Sequence, residues 1–303
     1  MRMKKRRCLL LLPVALITLA LVLGGCGNAK PAEEGGNGQE EVVQPGNGET
    51  DLLSEALQAM EDEGSYRITG ELDFTFLVPS ASLGQPVVQG AAGIPYEAEH
   101  QAEEGTRKSR MVMKMSEAAI DQSVPPALLP EVSKQETFLI DGLFYYEDPA
   151  GWQNMAYDPS EALLDMNVLG LLPEDVLNWL LYAETAEPAD EMAGSVGYQV
   201  TLGNKYYQAM KEQAQKLYVG EEWNKKMTAL NNLESILPSM NVYAVIDKQS
   251  KHIEEVQFAY AGMVTHLAGP LPEDSPFGDM TFDFSSTLIF SDYGAALDIQ
   301  APK

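Results

Sequence analysis

Apolar residues recur along this chain with three spacings, and each predicts a different kind of element. The first is a run: Leu9 to Leu23, broken only by Pro13 and a few small or hydroxyl residues, follows the basic residues Arg2, Lys4, Lys5, Arg6 and Arg7 and ends in Gly24-Gly25-Cys26. At 15 residues the run is shorter than the ~20 a helix needs to cross a bilayer. With basic residues before it and small ones after, it has the layout of an export signal. Leu23-Gly24-Gly25-Cys26 reads as a lipobox, cut before a cysteine that becomes acylated; the competing reading is an uncleaved N-terminal anchor.

The second spacing is helical. Leu52, Leu53, Ala56, Leu57 and Met60 follow a cap at Thr50 or Asp51 and predict a helix ending near Gly64. Asp158-Pro159-Ser160-Glu161 reads as a helix start, and Pro173-Glu174-Asp175 opens another helix with Val176, Leu177, Leu180 and Leu181 on one side. Asn204 to Leu237 is helical throughout, with Tyr206, Met210, Leu217, Met227, Leu230, Leu233 and Leu237 as its stripe and a break at Gly220.

The third spacing is two. Ile68, Leu72, Phe74 and Phe76 share one face of a strand whose other face shows Glu71, Asp73 and Thr75. A further strand ends in Arg110-Met111-Val112-Met113-Lys114-Met115, with three methionines on one side. Glu136–Ile140 and Leu143–Glu147 flank Asp141-Gly142, a hairpin signal, and Trp152–Tyr157 is a short extended piece. Val196, Tyr198, Val200 and Leu202 alternate with polar residues. Val242–Asp247 and His252–Ala261 form a hairpin, and Met280, Phe282, Phe284, Leu288 and Phe290 line a last strand. Residues 79–95, 123–133 and 268–278, rich in Pro, Gly or small residues, predict loops, and the acidic run Glu184–Glu191 a solvated loop or a weak cation site.

Strands with one wet face need cover for the other, and here the helices are the available cover. The predicted class is therefore α+β: a curved antiparallel sheet, an incomplete barrel, wrapped around covering helices. Residues 1–25 form the signal, 26–50 a tether, and 51–303 one folded domain. The tether, Gly, Asn, Glu, Gln and Pro in the main, has too little apolar surface to offset its ordering entropy.

Charge and cysteine content narrow the function. Loss of residues 1–25 removes five of 20 basic residues and none of 45 acidic ones, leaving a net charge of −30. Such a chain is repelled by nucleic acid and by anionic headgroups. Cys8 leaves with the signal and Cys26 is blocked by lipid, so no disulfide holds the domain and its core must. A diacylglycerol on Cys26 supplies two chains at about 0.8 kcal/mol per buried methylene, which anchors stably.

Catalytic signals are sparse. His100, in a polar stretch read as loop, His252 and His266 have no partner at a metal-ligand spacing, and no Gly-x-Ser-x-Gly elbow is present. No catalytic residue, metal or cofactor is expected, and abundant carboxylates without a local constellation read as surface. Trp152, Trp179 and Trp223 are the only support for a carbohydrate site, and packing explains their positions.

The lipobox, the helix 51–63 running into Gly64-Ser65-Tyr66, the Met111/Met113/Met115 strand, Phe138–Tyr146 and Val245–Lys251, in that order, resemble the LolA-like lipoproteins. That group includes the mycobacterial LppX and LprG lipoproteins. The resemblance is closer still to Gram-positive lipoproteins of this layout, and it covers about residues 51–300. It implies attachment to the outer face of the cell membrane and an acyl chain or other lipid held between sheet and helices. Flexible Met and flat Phe suit a wall that adapts to such a ligand, which makes Phe74, Phe76, Met111, Met113, Met115, Phe282 and Phe284 the candidates. The alternatives are that these residues are packed core, and that the chain is a non-catalytic envelope interaction or assembly protein with a solid interior.

Overall fold

A computed structural model describes residues 52–78, 88–103, 106–114, 134–148, 151–157, 172–263 and 281–302. Among them are eleven strands in a single open sheet and four helices of more than one turn. The strands are β1 (Ser65–Val78), β2 (Val88–Glu103), β3 (Thr106–Lys114), β4 (Lys134–Ile140), β5 (Leu143–Asp148) and β6 (Gly151–Ala156), then β7 (Thr185–Glu191), β8 (Ser195–Thr201), β9 (Asn241–Asp247), β10 (Ile253–Met263) and β11 (Thr281–Ser291). The helices are α1 (Leu52–Glu63), α2 (Pro173–Leu181), α3 (Asn204–Leu217) and α4 (Gly220–Ile236).

The strand order is β6-β5-β4-β3-β2-β1-β11-β10-β9-β8-β7, every pair antiparallel. Two meanders of sequence neighbours, β1–β6 and β7–β11, are thus joined side by side through one pairing, β1 with β11. That seam runs from Arg67 opposite Ser291 to Leu77 opposite Thr281.

One face of the sheet is apolar and packs on the helices. Leu53, Ala56 and Met60 of α1, Val176, Trp179 and Leu180 of α2, and Tyr206, Met210 and Ala214 of α3 share a continuous core with residues as distant as Leu139 of β4 and Tyr198 of β8. In a flat sheet β4 and β8 stand about 34 Å apart, at 4.8 Å per strand spacing. Serving one helical filling from both flanks bends the sheet around it. The architecture is the expected curved, unclosed antiparallel sheet.

Several boundaries follow the local chemistry. Asp141 (φ 51°) and Gly142 (φ 78°) take the two left-handed positions of a two-residue hairpin turn, as this pair predicts. The helical stretch from Asn204 divides at Gly220, also as expected.

Three expectations are corrected. Residues 88–95, expected in a loop, are the first half of β2, whose small residues lie against β1. Pro95 is tolerated because the β2–β3 ladder begins only at Tyr96, so the missing N–H deprives no partner there. The acidic run 185–191 is edge strand β7 rather than loop: Pro188 and its charges suit an edge, and the ladder shifts register beside Pro188. His100 lies in β2 and is buried.

On α2 the apolar side is also narrower than expected, for Leu181 is exposed while Trp179 is fully buried. The helix start predicted at Asp158 and the loops 123–133 and 268–278 lie outside the described residues. No helix among the described residues is long and apolar enough to cross a membrane.

Candidate functional site

Period two places Ile94, Tyr96, Ala98 and His100 of β2 and Ser109, Met111 and Met113 of β3 on the covered face, and all seven are buried. The start of α2 meets that face. Pro173 at the first turn fixes the entry of the helix, and the Asp175 carboxylate accepts the Leu172 backbone N–H at 2.9 Å. Those constraints aim the neighbouring Glu174 at β2 and β3.

The Ser109 hydroxyl donates to Glu174 Oε1, which the His100 Nδ1 also approaches at 3.1 Å. A carboxylate only accepts, so Nδ1 carries the imidazole proton, and Ser109 Oγ lies 2.9 Å from it. Tyr66 stacks on the far side of the imidazole with ring centroids 4.8 Å apart. On the other side of the helix start, the Tyr157 hydroxyl donates to Asp175.

Burial pushes the Glu174 carboxyl up, but the hydrogen bonds from His100 and Ser109 and the nearby imidazole outweigh it and hold the group below the usual carboxylate range. The phenols of Tyr66, Tyr96 and Tyr157 are all pushed well up, first by burial and then by the charge of Glu174 or Asp175.

Serine, histidine and a carboxylate together invite comparison with a nucleophilic triad. In that chemistry the imidazole takes the serine proton on one nitrogen and holds the acid with the other. Here Ser109 gives its proton directly to Glu174, and serine and acid crowd the same imidazole nitrogen. This is a clamp that pins α2 to the sheet. Among the described residues no three His, Cys, Asp or Glu side chains converge as metal ligands.

Around the clamp the covered face is apolar but holds polar atoms with no hydrogen-bond partner among the described residues. These are Tyr66 Oη, Thr137 Oγ1, Glu174 Oε2, Trp179 Nε1 and Ser286 Oγ. Thr137 stands opposite Met111, and Ser286 opposite Phe258, on whose ring Trp179 stacks at 4.6 Å.

Of the residues expected to line a ligand site, Met111, Met113 and Phe284 are buried on this face. Phe74 and Phe76 pair along the seam with Phe284 and Phe282; the side chains of Phe74, Phe76 and Phe282 lie outside the described ones. Met115 and Cys26 lie outside the described residues. The clamp escaped the sequence reading altogether. Its signal was the alternation Ile94, Tyr96, Ala98, which continues to His100 without a break.

No family model and no curated protein matches the chain. Among solved structures it is similar to LprF from Mycobacterium bovis, with 12% identity, 83% of this chain and 95% of that one covered, and a TM-score of 0.29. A LolA superfamily protein from Nitrosomonas europaea is similar over 80% of this chain and 90% of its own, with 8% identity and a TM-score of 0.23. At such values neither likeness bears on the chemistry of the site, which rests on this chain's own residues.

Proposed function

We propose that this chain is a non-catalytic, membrane-anchored lipoprotein that holds a hydrophobic ligand, a lipid or acyl chain, between its curved sheet and α2. The observation behind this is the set of buried polar atoms, beside Met111 and Phe258, that have no partner among the described residues. Native interiors pair nine in ten or more of such groups, and each one left unpaired costs about 1–3 kcal/mol. A ligand with long apolar parts and a few polar atoms offsets that cost, and adaptable methionines suit its wall. Anchoring rests on the lipobox: Cys26 carries the acyl chains, and residues 26–50 let the domain stand off the outer face of the membrane.

The second reading, an envelope interaction protein with a solid interior, draws support from the complete burial of Met111, Ile68 and Val256. Mass spectrometry separates the two. The chain from Gly27 keeps every described element; extracted with organic solvent, it yields lipid in near-stoichiometric amount if it is a carrier. A clean extract, with no binding of a fluorescent fatty acid, overturns the ligand. In the same measurement on the full chain taken from membranes, a protein beginning at an acylated Cys26 is expected, and the bare precursor mass overturns the anchor.

A further inference from the structure

One place on the covered face carries more than apolarity. Trp179 of α2 stacks on Phe258 of β10 with centroids 4.6 Å apart and planes 24° from parallel, and Phe284 of β11 lies 5.5 Å from Phe258 at a tilt. Ser286 of β11 is the cross-strand neighbour of Phe258, so its side chain rises beside that ring on the same face. Trp179 and Ser286 are both buried, and neither the indole N–H nor the hydroxyl has a hydrogen-bond partner among the described residues.

Neither polar atom is needed for packing. Phenylalanine would keep the stacking at position 179, and alanine or valine would suit a buried strand position at 286. Instead an aromatic box holds two donors and leaves them unused. An indole N–H only donates, and a serine hydroxyl donates as readily. A carbonyl oxygen, an acceptor with two lone pairs, can satisfy both.

Charge then selects the kind of carbonyl. Glu174 and Asp175, the charged residues of α2, stand within a turn and a half of Trp179 on the same helix, and both are acidic. The buried imidazole of His100, beside the start of α2, is committed to Glu174. A carboxylate placed here would lie buried near two like charges, at high cost, whereas a neutral carbonyl meets no such penalty.

We infer that Trp179 Nε1 and Ser286 Oγ hydrogen-bond the ester carbonyl of an acyl ester whose chain runs along the Phe258 and Phe284 rings. The protein therefore selects neutral acyl esters over free fatty acids. This rests on the ligand reading above, and adds to it the atoms that recognise the ligand and the class it belongs to.

The test uses the delipidated chain from Gly27, the neutral dye N-phenyl-1-naphthylamine as reporter, and methyl laurate and laurate as competitors at neutral pH. Methyl laurate is expected to displace the dye at a lower concentration than laurate. Trp179→Phe and Ser286→Ala are each expected to weaken the ester about fivefold relative to the dye, the worth of one hydrogen bond, with circular dichroism unchanged. Ester affinity unaltered in both variants, or laurate winning over the ester, overturns the carbonyl site while dye binding leaves the hydrophobic site standing. If neither dye nor ester binds the wild-type chain, the ligand reading falls and this inference with it.

Discussion

Glu174 is the residue through which α2 is fixed to the sheet. Its carboxyl is held below the ordinary value of about 4.3 by donors that only the folded chain supplies. A carboxyl depressed in this way stabilises the fold at pH values above its unfolded pKa. The contribution disappears as pH falls through the lower, folded value. Glu174→Gln keeps the shape and removes the charge. It is expected to cost about 1–3 kcal/mol at neutral pH, and the gap between variant and wild type in urea titrations should narrow steadily below about pH 4. A gap independent of pH would mean the charge contributes nothing.

How far the chain was readable at this scale depended on the neighbours of each residue. Ile68, Leu72 and Leu288 announce their buried face because the positions on either side of them are polar or face solvent. His100 is followed by Gln101, Ala102, Glu103 and Glu104, and that polar company masked its place at the end of a buried alternation. Its partners Ser109 and Glu174 are 9 and 74 residues away in sequence. No local pattern brings three such residues together; only the fold does. Val112 and Phe138 show the opposite case: they are buried on the outer face, where Phe138 meets Trp152 edge to face, although alternation assigns that face to water.

Among the elements, β7 was the hardest to read and is the most deliberately built. Both its faces are wet, so it has no apolar alternation to betray a strand, and Pro188 argues for a loop. What makes it a strand is its hold on the neighbours. Tyr243 of β9 reaches across β8 on the outer face, and its hydroxyl donates to Asp190 of β7 at 3.2 Å; Lys248 pairs with Glu191. The tyrosine crosses over Gly197 of β8, where an added Cβ would fall 1.7 Å from its hydroxyl oxygen. Gly197→Ala is therefore expected to lift Tyr243 off the sheet, costing about 1–2 kcal/mol and speeding amide exchange in 185–191. The same change in a Tyr243→Ala background should cost much less. Equal costs in both backgrounds would show that the strap contributes nothing at that position.

For the whole molecule, the decisive feature is the single join between the two meanders. Every strand pairing but one links neighbours in sequence; β1 with β11 links residues about 210 apart. The overall class was legible because most strands and helices carried their own period. The position of β11 was not, since an apolar strand at the end of a chain fits an edge as well as a centre. A chain ending at Met280 retains ten strands yet loses the shared neighbour of β1 and β10. It is expected to show no cooperative thermal transition by circular dichroism, and a sharp transition would mean that the helices alone hold the halves together.

The order of synthesis gives this join a further meaning. The ribosome makes β11 about 210 residues after β1, so until β11 emerges the growing chain holds two unattached curtains of strands, each with an unfinished flank. Nothing can lock until Ser291 is out. A polypeptide that stays loose until its closing strand is made then snaps shut along a single line.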